Sequence, residues 1–309
     1  MSLTRLEVNP HTQYSLYVTP TYLHTYAGPR TTTHVPIYPK LLPCIINITT
    51  HLQQHPLPSM SDPKKALVVF GSGPGIGRNI AAIFAQQGFS KIILLSRDKA
   101  RLSSDVKFVQ AAAAEDHEVK TSVDGLPIDL SDTAKVRETL TNLDMLLARY
   151  RLEAVLYNAA RVGASKMFEF SAVEMETDYR ISVVGLYMVA GWALPQFEKL
   201  AAKDPDSKPT LLVTSGGLHK DPFPAFFSLA NVKSAQYNLV HSLYKQYTPK
   251  NVHVAAIVVE GQVRDDAKVT TARHIAEEAW RLYEQPQGEG DLDVEIQDPD
   301  YLEFIGKNG

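Results

Sequence analysis

The residues with the clearest chemical purpose form a seven-residue turn, GSGPGIG, from Gly71 to Gly77. It follows the apolar run ALVVF (Ala66 to Phe70) and leads into a stretch with Ile76, Ile80, Ile83 and Phe84 on one helical face. Strand, glycine turn and helix in that order make a cradle for phosphates. Bare backbone lets an anion approach closely, and unpaired amides at a helix start supply positive potential. Gly71 would permit the tight turn, Gly75 the approach to a pyrophosphate and Gly77 close helix–strand packing, so Gly71, Ser72, Gly75, Ile76 and Gly77 are the expected cradle. A dinucleotide needs a second contact at the end of the next strand, where an acid would hold the adenosine ribose and reject a 2′-phosphate. Here KIILLS ends in Ser96 and is followed by Arg97, whose guanidinium suits a phosphate. Asp98 stands beside it and argues the other way. NADP is therefore expected ahead of NAD.

The elements that must position these residues alternate along the chain. Strands are expected at 66–70, 91–96, within 119–128, and at 154–157, 210–214, 252–259 and 294–296. Helices are expected at 75–87, 100–114, 132–149, 171–201, 226–247 and 272–284, with Pro195 kinking or ending the last part of the fourth. Continuous apolar strands separated by helices imply an α/β fold with right-handed crossovers, a doubly wound parallel sheet buried on both faces. The single domain is placed at 60–309. Residues 1–59 read differently: five of ten histidines, eight of nineteen prolines, ten threonines and one acid, Glu7, without a sustained apolar period. They are expected to form a low-order extension without chemistry. A targeting segment is the minority reading, and the sequon at Asn47 has no secretory context.

Composition narrows the partners. A net charge of −3 with scattered basic residues leaves no footprint for nucleic acid or an anionic membrane. No apolar run approaches the roughly 20 residues that span a bilayer. Cys44 is the one cysteine, so no internal disulfide can form and no thiolate metal site is expected. A reducing, cytoplasmic setting follows as the default.

Taken together, the chain from about Lys64 to Ile296 resembles the short-chain dehydrogenase/reductase superfamily, with its Rossmann-type sheet. Gly71, Gly75 and Gly77 match its Gly-x-x-x-Gly-x-Gly, Asp129 in IDLSD its adenine-contacting aspartate, and Asn158-Ala159-Ala160 its Asn-Ala-Gly. The pairing of GPGIG with YNAARVG is similar to sequences common in fungal genomes. The resemblance implies four catalytic positions, and two are kept. Lys233 matches the lysine that holds the nicotinamide ribose, and Ser215 in VTSGG matches the serine. Leu229 stands where the tyrosine belongs, four residues before Lys233, and Ser182 stands where the asparagine belongs. Glu260-Gly261 replaces the Pro-Gly after the sixth strand.

Loss of the tyrosine removes the proton donor. A tyrosine beside an ammonium is acidified, whereas leucine has no proton, and losing a general acid costs about 10²–10⁴-fold in rate. Substitutes are few. His219, four residues after Ser215, offers an imidazole at the cleft mouth; Ser182 offers a hydroxyl to hold a water; Tyr237 shares Lys233's face but points about 5.4 Å further along the helix. Arg161 could meet an anionic substrate or be merely a solvated charge. The short lid QVRDDAKVTT (Gln262 to Thr271) implies an open cleft. The leading expectation is an NADP(H)-dependent oxidoreductase with a non-standard proton relay, acting on a carbonyl, alcohol or imine, in the setting of secondary metabolism. The alternatives are a non-redox isomerase, dehydratase or cyclase, and a cofactor-binding protein without turnover. The resemblance also implies a homo-oligomer joined through the helices over 171–201 and 226–247, with Ile181, Val184, Met188, Trp192, Val240, Leu243 and Tyr244 as apolar candidates.

Overall fold

A computed structural model of the chain describes residues 64–114, 120–301 and 303. The expected extension over 1–59, with Cys44, Asn47 and five of the histidines, lies outside the described residues.

Among the described residues seven parallel strands form one sheet in the order β3-β2-β1-β4-β5-β6-β7. They are β1 (Lys65–Phe70), β2 (Lys91–Ser96), β3 (Ser122–Pro127), β4 (Arg151–Tyr157), β5 (Thr210–Gly216), β6 (His253–Glu260) and β7 (Asp293–Gln297). The helices are α1 (Ile76–Gln86), α2 (Lys99–Ala114), α3 (Thr133–Leu146), α4 (Ala172–Tyr179), α5 (Gly185–Lys203), α6 (Phe227–Tyr247) and α7 (Ala272–Glu284). Each buried strand serves two cores by simple alternation. Ala66, Val68 and Phe70 of β1 pack toward α3, α5 and α6, while Leu67 and Val69 pack toward α1, α2 and α7. This is the physical reason that ALVVF reads as unbroken apolar sequence. Among the described residues no helix is long and apolar enough to cross a membrane.

Two local readings need correction. The fourth expected helix is not continuous α-helix: a π-helical segment, Arg180–Val184, separates α4 from α5. Pro195 neither ends nor interrupts α5. Its ring lies on the exposed face, where water can serve the Gly191 carbonyl that loses its bond. Ala193, Leu194, Phe197 and Ala201 hold the other face in the core on both sides of it. The π segment fits around a strand residue. The buried Tyr157 hydroxyl donates to the Ile181 carbonyl, and a side chain at Gly185 would collide with that hydroxyl.

Because the sheet is parallel, the C-terminal ends of β1, β4, β5 and β6 meet along one edge. The connection reverses direction between β1 and β4, which opens a crevice at that edge.

Candidate functional site

The crevice is a cavity of about 1470 Å³. Gly71, Ser72, Gly73, Gly75 and Ile76 form its floor, with Arg97 at one end and Asn158, Ser215, Leu229 and Lys233 at the other. Pockets for small ligands run to roughly 1,000 Å³, so this one has room for a dinucleotide and a second molecule.

The turn after β1 is built from close approach and left-handed backbone. Gly71 has φ +94°, and a Cβ there would sit 2.5 Å from the Ala159 nitrogen. At Gly77 a Cβ would lie 2.7 Å from the Gly71 carbonyl oxygen. Gly73 and Gly75 differ: open space faces both. The amides of Gly71 and Ser72 donate to the Leu95 carbonyl at 2.9 and 2.8 Å, which withdraws them from a phosphate. The Ser72 hydroxyl is also spent, on Asp105 at 2.8 Å. What remains for an anion is the bare backbone at Gly73 and Gly75 and the start of α1, which has no side-chain cap and no acid in its first turn. These features fit a pyrophosphate. At the far end the exposed Asp98, which also lines the cavity, caps α2, accepting from the amides of Ala100 and Arg101 at 3.0 and 3.1 Å. Arg97 lines the cavity beside Asp98, whose carboxylate is engaged by those two amides.

A line of hydrogen bonds joins this turn to the lysine. Asn158 Nδ2 donates to the Gly71 carbonyl, and Asn158 Oδ1 accepts from the Thr214 hydroxyl, both at 2.8 Å. Lys233 Nζ donates to the Thr214 carbonyl and to Gln236 Oε1, again at 2.8 Å each. Gln236 Nε2 donates to the Ser182 carbonyl at 2.8 Å. Lys233 is 7% exposed and its two acceptors are neutral, so burial pulls its pKa down to about 8. Leu229 is also 7% exposed; it lines the cavity and packs with Val183 and Val232. Among the described residues the one tyrosine that lines the cavity is Tyr301, on a different segment.

Several expected site residues are not brought to the cavity. Ser182 is fully buried within the π segment, and only its carbonyl joins the network. His219 falls on a 3-10 turn, Gly217–His219, which swings its ring away from the cavity. There its Nδ1 lies 2.8 Å from the Gly216 carbonyl oxygen, and the ring stacks on Tyr237 at 4.1 Å. Tyr237 donates to Asp293, and burial followed by that carboxylate pushes its pKa up to about 12. Asp129 accepts from the Ser131 amide and hydroxyl at 3.0 and 2.7 Å, bonds that hold its carboxyl below the usual range. Its side chain lies in an adjoining hollow, while Ile128 and Leu130 line the cavity. Arg161 is engaged by the buried Asp178 through two bonds of 2.8 and 2.9 Å and lies over Phe170, so it is not free for an anionic substrate.

Sequence reasoning missed Thr214 and Gln236, whose roles depend on contacts across elements. It also missed the segment after β7: Asp298, Asp300 and Tyr301 line the cavity beside the lid residues Gln262, Val263 and Arg264.

A model of the short chain dehydrogenase family matches residues 65–273. A short chain dehydrogenase of Gibberella zeae is 26% identical over 166 residues, covering 53% of this chain and 46% of its own length. The chain spans about half the length of the curated relatives it matches. Among solved structures, a metagenomic short-chain oxidoreductase in complex with NADP is similar with a TM-score of 0.64 and 18% identity, over 76% of this chain and 97% of that one. An NADH-dependent reductase complexed with NAD gives a TM-score of 0.62 and 16% identity, over 76% and 95%. These two likenesses are of fold, and one neighbour carries each cofactor.

Proposed function

We propose that this chain, which belongs to the short chain dehydrogenase family, is an NADP(H)-dependent oxidoreductase acting on a carbonyl, alcohol or imine without a tyrosine at the Leu229 position. The observation that carries this reading is the unbroken hydrogen-bonded line from Gly71 through Asn158 and Thr214 to Lys233. Such a line fixes the phosphate turn and the buried ammonium relative to each other, as a site for one elongated ligand requires. When bound, the nicotinamide would supply or take up the hydride. The chain's residues do the rest. Gly73, Gly75 and the start of α1 hold the pyrophosphate, Arg97 meets the 2′-phosphate, and Lys233 donates to the ribose hydroxyls. Ser215, whose buried hydroxyl has no partner among the described residues, holds the substrate oxygen.

Turnover-free cofactor binding is the second reading, favoured by the aliphatic seating of Leu229. We extend the first reading to a homo-oligomer. Ile181 and Val240 are spent on the core, with Met188, Trp192, Leu243 and Tyr244 packed against it, which leaves Val173, Tyr179 and Tyr187 as the outward apolar residues of α4 and α5. A fungal source and a role in secondary metabolism belong to the same reading, supported by the sequence resemblance alone.

Titration with NADPH and NADH, followed by nicotinamide fluorescence, tests the reading. NADPH is expected to bind more tightly, and Arg97→Ala to weaken NADPH about tenfold while leaving NADH little changed. Loss of nicotinamide absorbance in the presence of carbonyl compounds then separates an enzyme from a silent binder. Absence of binding by either cofactor would sink both.

A further inference from the structure

Two residues that line the cavity, Ser215 and Tyr301, carry hydroxyl oxygens with no hydrogen-bond partner among the described residues. They approach the same place from distant parts of the chain. The Tyr301 oxygen lies 2.6 Å from where a Cβ on Gly217 would be, and Glu260 Cγ lies 2.9 Å from that point. A side chain at Gly217 would therefore expel the phenol. Gly216 between the two positions is extended, with φ −158° and ψ 161°, so Ser215 and Gly217 present the same side of the strand. Two residues of strand span about 6.6 Å. Each hydroxyl is left with open hydrogen-bonding capacity at the same end of β5.

The backbone that carries the phenol is tied down. The Asp298 amide donates to the Glu260 carbonyl at 2.8 Å, and the Tyr301 amide donates to the Asp298 carbonyl at 2.9 Å. Thr270 ties the base of the lid to the same turn, donating to Asp298 at 3.2 Å and to the Gln262 carbonyl at 2.8 Å.

Resting on the oxidoreductase reading above, we infer that Tyr301 supplies the phenolic proton that Leu229 cannot, donating to a substrate carbonyl oxygen held by Ser215. In the reductive direction a bound reduced nicotinamide would supply the hydride for the new C–H bond at the carbonyl carbon. The C=O π pair moves onto oxygen, which takes the proton as the Tyr301 O–H bond breaks. The alcohol and a tyrosinate result, and after the alcohol leaves, water entering the cavity returns the proton to the tyrosinate and departs as hydroxide. Burial raises the phenol's pKa, as do Glu260 and Asp221, while Lys220 opposes them. The group therefore keeps its proton near neutral pH, as a donor must. Lys220 itself is held by Glu260 at 3.1 Å and by Glu295.

The test reads Tyr301 directly and needs no substrate. Protein carrying fluorotyrosine is examined by fluorine NMR, the Tyr301 resonance being the one missing from Tyr301→Phe. Calorimetry establishes separately that NADPH and NADP⁺ are bound, to wild type and to Tyr301→Phe alike. A cationic nicotinamide sharing the cavity stabilises the phenolate, so the Tyr301 titration midpoint is expected to fall by about one to two pH units in the NADP⁺ complex relative to the NADPH complex. Equal midpoints with both cofactors bound would overturn the assignment and leave the cofactor reading intact. If neither cofactor binds, the oxidoreductase reading fails and takes this one with it.

Discussion

Replacing Lys233 by Met removes a buried charge while keeping an unbranched side chain, and its effect can be worked out before it is measured. Burial lowers the native pKa of Lys233 from 10.5 to about 8. Below about pH 8 both folded and unfolded chains carry the proton, and the native state bears the full cost of the buried ammonium. Between pH 8 and 10.5 the native lysine has released its proton while the unfolded one still binds it, so stability rises with pH across that window. A shift of this size corresponds to about 3 kcal/mol in total, of which about 2 kcal/mol appears by pH 9.5. Against the relief of that cost stand two lost bonds. The ammonium donates to the Thr214 carbonyl and to Gln236 Oε1, and each abandoned acceptor costs about 1–3 kcal/mol. At neutral pH the two effects nearly cancel, so a single measurement there is uninformative. The slope decides. Urea unfolding at constant ionic strength, near pH 7 and near pH 9.5, should show wild type gaining about 2 kcal/mol more than Lys233→Met. Other titrating groups are common to both proteins and drop out of the comparison. Parallel stability profiles would refute the claim that Lys233 is a buried ammonium with only neutral partners.

Three further substitutions separate the turn's structural glycines from its ligand-facing ones and probe the missing phenol. Gly71→Ala forces a side chain onto a φ of +94° and into the Ala159 backbone, and is expected to lower stability by about 2–4 kcal/mol by chemical denaturation. Gly75→Val meets open space instead, so its unfolding midpoint should stay near wild type while NADPH affinity falls at least about tenfold. A Gly75→Val protein that binds NADPH normally would show that this backbone does not face the phosphates. Leu229→Tyr places a phenol beside Lys233 at the cavity wall, and carbonyl reduction is expected to rise about 10²-fold. A folded, NADPH-binding Leu229→Tyr protein with no gain would count against a site still assembled for hydride transfer.

What could be read from the sequence was local. The alternation of apolar strands with helices, the glycine turn and the position of Leu229 four residues before Lys233 all follow from neighbours within a turn or two, and the structure places them accordingly. The same locality produced the errors. His219 lies only four residues past Ser215, but a single 3-10 turn rotates its ring onto Tyr237 and out of the cavity. Arg161 follows the Asn158 turn closely, yet Asp178 on another element claims its guanidinium. Pro195 looked like a helix breaker because a proline's cost depends on which face it occupies, and that is fixed by packing.

The residues that were missed share a different property: each acts through a partner that only the tertiary fold supplies. Gln236 is an unremarked amide on a helix until the π segment brings the Ser182 carbonyl within reach. Tyr301 follows the last strand, where no periodicity marks it, and acquires meaning only because parallel pairing of β6 with β7 returns the chain to the end of β5. A tyrosine lost from a helix leaves a gap in the sequence pattern, but the need it served is set by the cavity. Leu229 on its helix and Tyr301 on the segment after β7 line the same cavity as Ser215, and the assignment above gives the second of them the proton. Loss of the first phenol therefore does not by itself imply loss of proton transfer, and the empty place at Gly217 is the feature that keeps the second route open.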